Sequence, residues 1–333
     1  MPEPLGIGII GLGVMGRIHL GIFKAGVPGA RLAAVADLDP ERSRESAEET
    51  GVPAYTACAE LLRDPAVHAV VIATPAETHS DLIEQAAAAG KHIFCEKPLD
   101  VDLTRIHRAL AAVKQARVLL MTGFNRRFDR NFSYLREELD AGRIGDPISI
   151  HIVSRDPVLA GPPRTIEAKA GLFFETTIHD LDMLRFLTGA EIEWLHVQAS
   201  SPVHKQPAVD SAVVMLRLAN GAAATIDNSQ AAYDYDQRIE AFGTQGALTV
   251  TNETVNTVSL WDRQGIHSPR HQHFFPQRYR ESYSSELAAF AGFVPAGVQP
   301  SPSGADGRAA TAAALAVQLS FEQRRPVRIE EVR

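Results

Sequence analysis

The chain has 333 residues, 45% hydrophobic and 22% charged, with a formal net charge of -7 and only 2 cysteines, Cys58 and Cys95. That apolar share supplies a core and excludes a chain disordered throughout, while two cysteines exclude a disulfide-stapled scaffold and fit a reducing compartment. An excess of 40 acidic over 33 basic residues argues against nucleic acid as a partner. The opening MPEPLGIGIIGLG is acidic where a secretory leader is basic, and it lacks a small-residue cleavage site. No stretch reaches the ~18 apolar residues of a membrane span. A soluble, cytoplasmic protein with no membrane partner is expected, of about two domains by length.

Residues 5–10 form an apolar run broken only by glycine, the pattern of a strand buried on both faces. Helical spacing follows at 18–25, a second apolar run at 31–36 closes on Asp37, and 40–50 is charged and helix-prone. Runs at 69–73, 92–95 and 118–122 predict three more strands, with helices at 79–89 and 103–115 between them. Strands alternating with helices of this length mean βαβ units and a doubly wound parallel sheet, the Rossmann arrangement of α/β proteins.

After Gly123 the pattern changes. Segments 148–152, 194–199, 212–218, 222–228, 237–242 and 247–251 read as strands, with hairpin connectors at Asn220-Gly221 and 243–246. Helices are expected at 131–140, 171–187, 284–293 and 308–319. The predicted organisation is a dinucleotide-binding domain over 1–122 and an α+β domain over 123–333, the latter with an open, mainly antiparallel sheet. Two stretches read as surface loops: RHQHFFPQRYR at 270–280, and the Pro-, Gly- and Ser-rich 295–307.

Gly11-Leu12-Gly13-Val14-Met15-Gly16 is a G-x-G-x-x-G that directly follows the first strand and opens the first helix. Its glycines permit a tight turn and close approach of a pyrophosphate to the helix N-terminus. Asp37, ending the second strand, is placed to accept from the hydroxyls of an adenosine ribose. A carboxylate there repels a 2′-phosphate, so NAD is favoured over NADP, with Arg42 along the adenine. Glu96-Lys97-Pro98 follows the fourth strand, and ligands of an open parallel sheet sit outside the strands' carboxyl ends. Lys97 thus faces the cofactor crevice, where it can bind a substrate hydroxyl and stabilise a developing alkoxide. Pro98 fixes the backbone behind it and is a candidate for a cis bond.

Glu175 and His179 are four apart in Gly171-Leu-Phe-Phe-Glu-Thr-Thr-Ile-His-Asp-Leu-Asp182 and share one face of a helix. A carboxylate beside an imidazole makes a general base, though the same pair also reads as an ordinary helix contact worth about a few tenths of a kcal/mol. A metal site from His179, Asp180 and Asp182 is disfavoured because neighbouring helix positions point apart. No metal is expected.

The GLGVMG turn, Thr74-Pro75-x-x-x-His79, Glu96-Lys97-Pro98 and the E-T-T-I-H-D-L-D helix together resemble the Gfo/Idh/MocA oxidoreductase family, essentially end to end. Within that family, 123–128, 154–157 and 177–182 are most similar to the inositol 2-dehydrogenases. The resemblance implies NAD lying on Gly11, Gly13, Val14, Met15, Gly16, Asp37, Thr74, Pro75, His79 and Glu96. It implies Lys97 and His179 as the catalytic pair, assisted by Glu175, and a polyol pocket lined by Arg127, Asp156, Thr176 and Tyr235. Homo-oligomers, dimers or tetramers, built through the open sheet are also implied. One departure stands out: the family's usual Asp four before the histidine is Glu175 here, preceded by Ala170-Gly171 in place of a glycine pair. The expected activity is oxidation of an inositol ring hydroxyl to the ketone by hydride transfer to NAD. A cyclic-sugar dehydrogenase of the same family, and a non-catalytic NAD-binding sensor, are the competing readings.

Overall fold

The computed structural model describes residues 3–157, 171–203 and 209–332, and the chain divides by compactness into two units. The first comprises Met1–Phe128 and Glu281–Thr311, the second Asp129–Arg280 and Ala312–Arg333.

In the first unit, β1 (Leu5–Ile10), β2 (Ala30–Ala36), β3 (Ala54–Tyr55), β4 (Ala69–Ile72), β5 (His92–Glu96) and β6 (Leu120–Gly123) form one parallel sheet in the order β3-β2-β1-β4-β5-β6. Every residue of β4 is buried, which is why its run is apolar without alternation. The crossovers are α1 (Val14–Ala25), α2 (Pro40–Thr50), α3 (Cys58–Arg63), α4 (His79–Ala88) and α5 (Leu103–Ala116). Local chemistry sets their starts. Asp39 accepts from the Glu41 N–H with Pro40 in the first turn of α2, and Asp102 accepts from the Thr104 N–H to cap α5. Strand order reverses between β1 and β4, and it is there, at the carboxyl ends, that the Gly11 turn and Thr74 stand.

The second unit begins with α6 (Arg130–Asp140) and carries the sheet strands β7 (Pro147–Pro157), β8 (Ile192–Ser200), β9 (Ser211–Leu218), β10 (Ala223–Ala232), β11 (Asp236–Gly243) and β12 (Ala247–Val250), with α7 (Ile178–Thr188) between β7 and β8. A short hairpin, β13 (Leu260–Asp262) and β14 (Gly265–His267), comes next. Then follow α8 (Phe275–Arg278), α9 (Arg280–Ala296), α10 (Gly304–Gln323) and β15 (Val327–Arg328). The seven-stranded order is β12-β11-β7-β10-β9-β8-β15, antiparallel except for β7 with β10. Burial alternates along β9 and, from Gln237 onward, along β11, so one face is covered while the other shows Val213, Met215 and Phe242. The covered side meets α7, and Phe173 packs edge-on against Phe321 of α10 at 5.9 Å.

The expected boundary lies after residue 122; β6 ends at Gly123, and by compactness the first unit runs to Phe128 and takes in 281–311. Two loop expectations need correction. Residues 295–307 are not a surface loop throughout: α10 starts at Gly304, and the Thr122 N–H of β6 donates to the buried Pro302 carbonyl at 3.1 Å. A Cβ on Gly304 would lie 2.5 Å from Leu110 Cδ2, and one on Gly307 2.6 Å from Leu99 Cδ1, so these glycines serve close packing. In 270–280, the α8 turn buries Arg278 and Tyr279, and Tyr235 meets Phe274 edge-on at 5.6 Å. Among the described residues, no helix is long and apolar enough to cross a membrane.

Candidate active site

The nucleotide turn is dictated by its glycines. Gly11 sits at φ 90, and a Cβ on it would stand 2.7 Å from the Ala73 carbonyl oxygen. A Cβ on Gly16 would fall 1.9 Å from the Gly11 oxygen, so α1 presses directly onto the turn. Gly13, the cap of α1, has open space beside it, no side chain caps the helix, and its first turn, which includes Val14 and Met15, holds no acid. Those bare N–H groups and the positive helix end fit a pyrophosphate.

Asp37 secures this turn. Its Oδ2 accepts from the Leu12 N–H at 2.7 Å and its Oδ1 from the Asp39 N–H at 2.9 Å. A carboxylate oxygen can accept twice, which leaves capacity for a ribose diol. Arg42 is exposed on α2, with Nε 3.4 Å from Asp39 Oδ2. Beyond β4, the Thr78 hydroxyl donates to the Pro75 carbonyl at 2.7 Å, so Thr74 must donate to Thr78 across their 2.7 Å contact.

The structure gives His79 a different surrounding from the one expected of a cofactor contact. It is 1% exposed, its Nδ1 is 2.7 Å from the Pro98 carbonyl oxygen and its Nε2 is 2.8 Å from that of Thr74. Burial holds this imidazole below its ordinary range, against the pull of both carbonyls and of Glu96 and Asp100. Glu96 is likewise interior: its Oε1 accepts from His19 Nε2 at 2.7 Å. Lys97 follows, half-buried, joined to Pro98 by a cis bond. Cys95 is fully buried and its thiol is pushed well up, as suits a packing residue. Arg127 is buried in the turn Asn125–Phe128, donating to Asp306 at 3.1 Å and Ser301 at 3.4 Å within the same unit.

Glu286 of α9 was not foreseen. It is wholly buried, and neither carboxyl oxygen has a partner among the described residues. Burial and the nearby charge of Glu96 push it well above the carboxylate range, which favours its neutral form. In the unfolded chain it ionises near its ordinary value, so its contribution is full below that value and drains away as pH rises toward the raised one. Over that window the folding constant falls about tenfold per pH unit. Glu286→Gln is expected to remove this slope and to unfold at higher denaturant than the parent near neutral pH. Urea titrations at stepped pH check it, and an unchanged slope would refute the assignment.

In the second unit, Glu175 lies in a five-residue π turn, Phe173–Thr177, that leads into α7. The Ile178 N–H reaches back to the Phe173 carbonyl, and the Thr177 hydroxyl donates to the Leu172 carbonyl at 3.2 Å. Such wide turns recur at functional sites, and nothing in residue periodicity marks this one. Gly171, Glu175 and His179 are half-buried while every residue between them is buried, so the carboxylate and imidazole share the one accessible face. Ala170 lies outside the described residues. Thr176 is buried and its hydroxyl accepts from Gln230 Nε2 at 3.2 Å; Asp156 stands half-buried on β7. Tyr235 is 3% exposed, its ring in the aromatic cluster with Phe274 and Tyr279. Asp180 accepts from Asn228 at 2.7 Å. No group of three or more His, Cys, Asp or Glu among the described residues could hold a metal ion.

His19, Glu286 and Asn228 escaped sequence reasoning. The only signal was a polar residue at a core position: His19 shares the buried face of α1 with Gly16, Leu20 and Ile22.

A parallel nucleotide-binding sheet with a glycine turn, an Asp at the end of β2 and a lysine beyond β5 defines a dinucleotide-dependent oxidoreductase. Residues 5–124 match the oxidoreductase family with an NAD-binding Rossmann fold, and residues 132–249 match the GFO/IDH/MocA C-terminal domain. The chain belongs to the Gfo/Idh/MocA family and uses NAD. It is similar to the myo-inositol 2-dehydrogenase of Thermotoga maritima, 44% identical over 98% of this chain and 99% of that one. The inositol 2-dehydrogenase of Rhizobium meliloti is 41% identical over 97% of this chain and 98% of its own. Among solved structures, the scyllo-inositol dehydrogenase of Lactobacillus casei with bound NAD(H) and scyllo-inositol superposes with a TM-score of 0.90 at 29% identity, covering 98% of this chain and 100% of that one.

Proposed function

We propose that this protein is an NAD-dependent inositol dehydrogenase that oxidises one ring hydroxyl of myo- or scyllo-inositol to the ketone. The observation that carries this reading is end-to-end similarity to inositol 2-dehydrogenases at 41–44% identity, substrate-binding half included. Bound NAD supplies the hydride acceptor, the nicotinamide C4. The imidazole of His179 takes the hydroxyl proton. Glu175 orients that ring and stabilises its protonated form. Lys97 Nζ donates to the hydroxyl oxygen and favours its alkoxide-like transition state. Arg127, Asp156, Thr176 and Tyr235 shape the polyol pocket. Thr74, Pro75, Glu96, Arg42 and Asp37 complete the NAD site.

The working form is a cytoplasmic homo-oligomer, a dimer or tetramer. Val213, Met215 and Phe242, each about half exposed on one sheet face, support self-association.

NADH formation with NAD or NADP, against a panel of inositols and cyclic sugars, tests the proposal. Activity is expected on an inositol with NAD. Turnover of sugars alone moves the substrate, and silence with NAD still bound points to the sensor reading. Light scattering on the same preparation reads its mass, and a monomer would reject the oligomer.

A further inference from the structure

Lys97 is flanked in the chain by Glu96 and Pro98, and a buried imidazole holds each of them. On one side, His19 Nε2 donates to Glu96 Oε1 at 2.7 Å. His19 is 0% exposed, lies three residues past Gly16 on the helix that opens at Gly13, and is wedged edge-on by Phe94 at 5.5 Å and Tyr283 at 6.3 Å. Those two rings and full burial confine the imidazole. On the other side, His79 Nδ1 stands 2.7 Å from the Pro98 carbonyl oxygen, and its Nε2 faces Thr74. A neutral ring has a single N–H to give. The Pro98 contact is fully buried, whereas the Thr74 contact is only partly so, and an unmet buried carbonyl costs more than one within reach of water. The proton therefore belongs on Nδ1, donated to Pro98; a second proton, gained on the acid side of the ring's lowered range, adds the Thr74 bond.

We propose that His19 and His79 are positioning residues that grip Lys97 from its two chain neighbours, coupling its amine to the nucleotide helix through Glu96 and to α4 through Pro98. This rests on the reading that Lys97 acts on the substrate hydroxyl. Displacement of a reacting group by about 1 Å can cost ~10²-fold, so a grip of this kind has catalytic weight without touching substrate or cofactor.

The test uses His19→Phe and His79→Phe, which keep aromatic volume and lose the N–H groups. Each is expected to change the rate at which an amine-reactive reagent labels Lys97 several-fold in NAD-free protein, read by mass spectrometry. Exposed Lys114 on α5 serves as the internal control. Each should also lower kcat about tenfold or more, a loss that Lys97→Met absorbs, so the double variants are no slower than Lys97→Met alone. His19→Gln, whose amide can still donate to Glu96, should regain most of the activity. If phenylalanine at 79 prevents folding, His79→Leu, which also has no N–H to give, carries the same measurements. Nitrogen-15 spectra should show a proton on His79 Nδ1. Unchanged Lys97 labelling, losses that add to that of Lys97→Met, or a ring protonated only at Nε2 would overturn the grip. Altered labelling together with a fully active Lys97→Met enzyme would leave the grip standing and remove the catalytic role of Lys97.

Discussion

Replacing Lys97 by methionine is expected to lower turnover by about 10²–10³-fold while NAD affinity stays within roughly threefold, the cost of deleting one donor aimed at a developing oxyanion. The backbone argument and the chemical one agree here. Lys97 leaves the carboxyl end of β5, where an open parallel sheet presents ligands, and it is half-buried between the buried Glu96 and Pro98. NADH formation under saturating substrate, with NAD binding followed by protein fluorescence, separates the two quantities. A loss confined to NAD affinity would reassign Lys97 from the substrate to the cofactor.

His179→Ala is expected to cost about 10²–10⁴-fold in kcat/KM at neutral pH, the range for removing a positioned general base, with part of the loss recovered as hydroxide rises. Glu175 sharpens this expectation. Compared with aspartate its extra methylene moves the carboxylate by roughly 1–1.5 Å. Here the pair stands on a π turn in place of a regular helix, and both residues hold the accessible face. A carboxylate that only orients the imidazole tolerates such a shift; one that contacts substrate does not. Wild-type kcat/KM in His179→Ala would reject the base assignment outright.

How far the molecule could be read from its sequence depends on whether a feature is local. Fully buried β4 shows as an unbroken apolar run, and β9 and β11 show as alternation, because burial on two faces or one imposes those patterns. Strands β3 and β15, of two residues each, are too short to leave any pattern. The glycines at 304 and 307 suggested a loop because composition does not tell a flexible glycine from one that makes room for Leu110 or Leu99. The same limit governs the site. The Gly11–Gly16 turn and Asp37 were legible since backbone geometry demands those residue types at that spacing. The environments of His79 and Arg127 were not: one ring lies between backbone carbonyls, and one guanidinium binds a carboxylate 179 positions away. No residue type announces a partner of that kind.

The return of residues 281–311 to the first unit carries a consequence for how the protein is made. Tyr283 against His19, Phe290 against Phe94, Ser303 beside Thr122 and Asp306 on Arg127 all arrive late in the chain. As synthesis proceeds from the N-terminus, the nucleotide-binding sheet leaves the ribosome first yet waits for nearly the whole polypeptide before its last helices can close over it. The chain passes from the first unit to the second, returns to the first at Glu281 and leaves it again at Ala312, so the half that emerges earliest is completed late, and a translation product halted after residue 128 would expose the surface that Phe290 and Tyr283 cover.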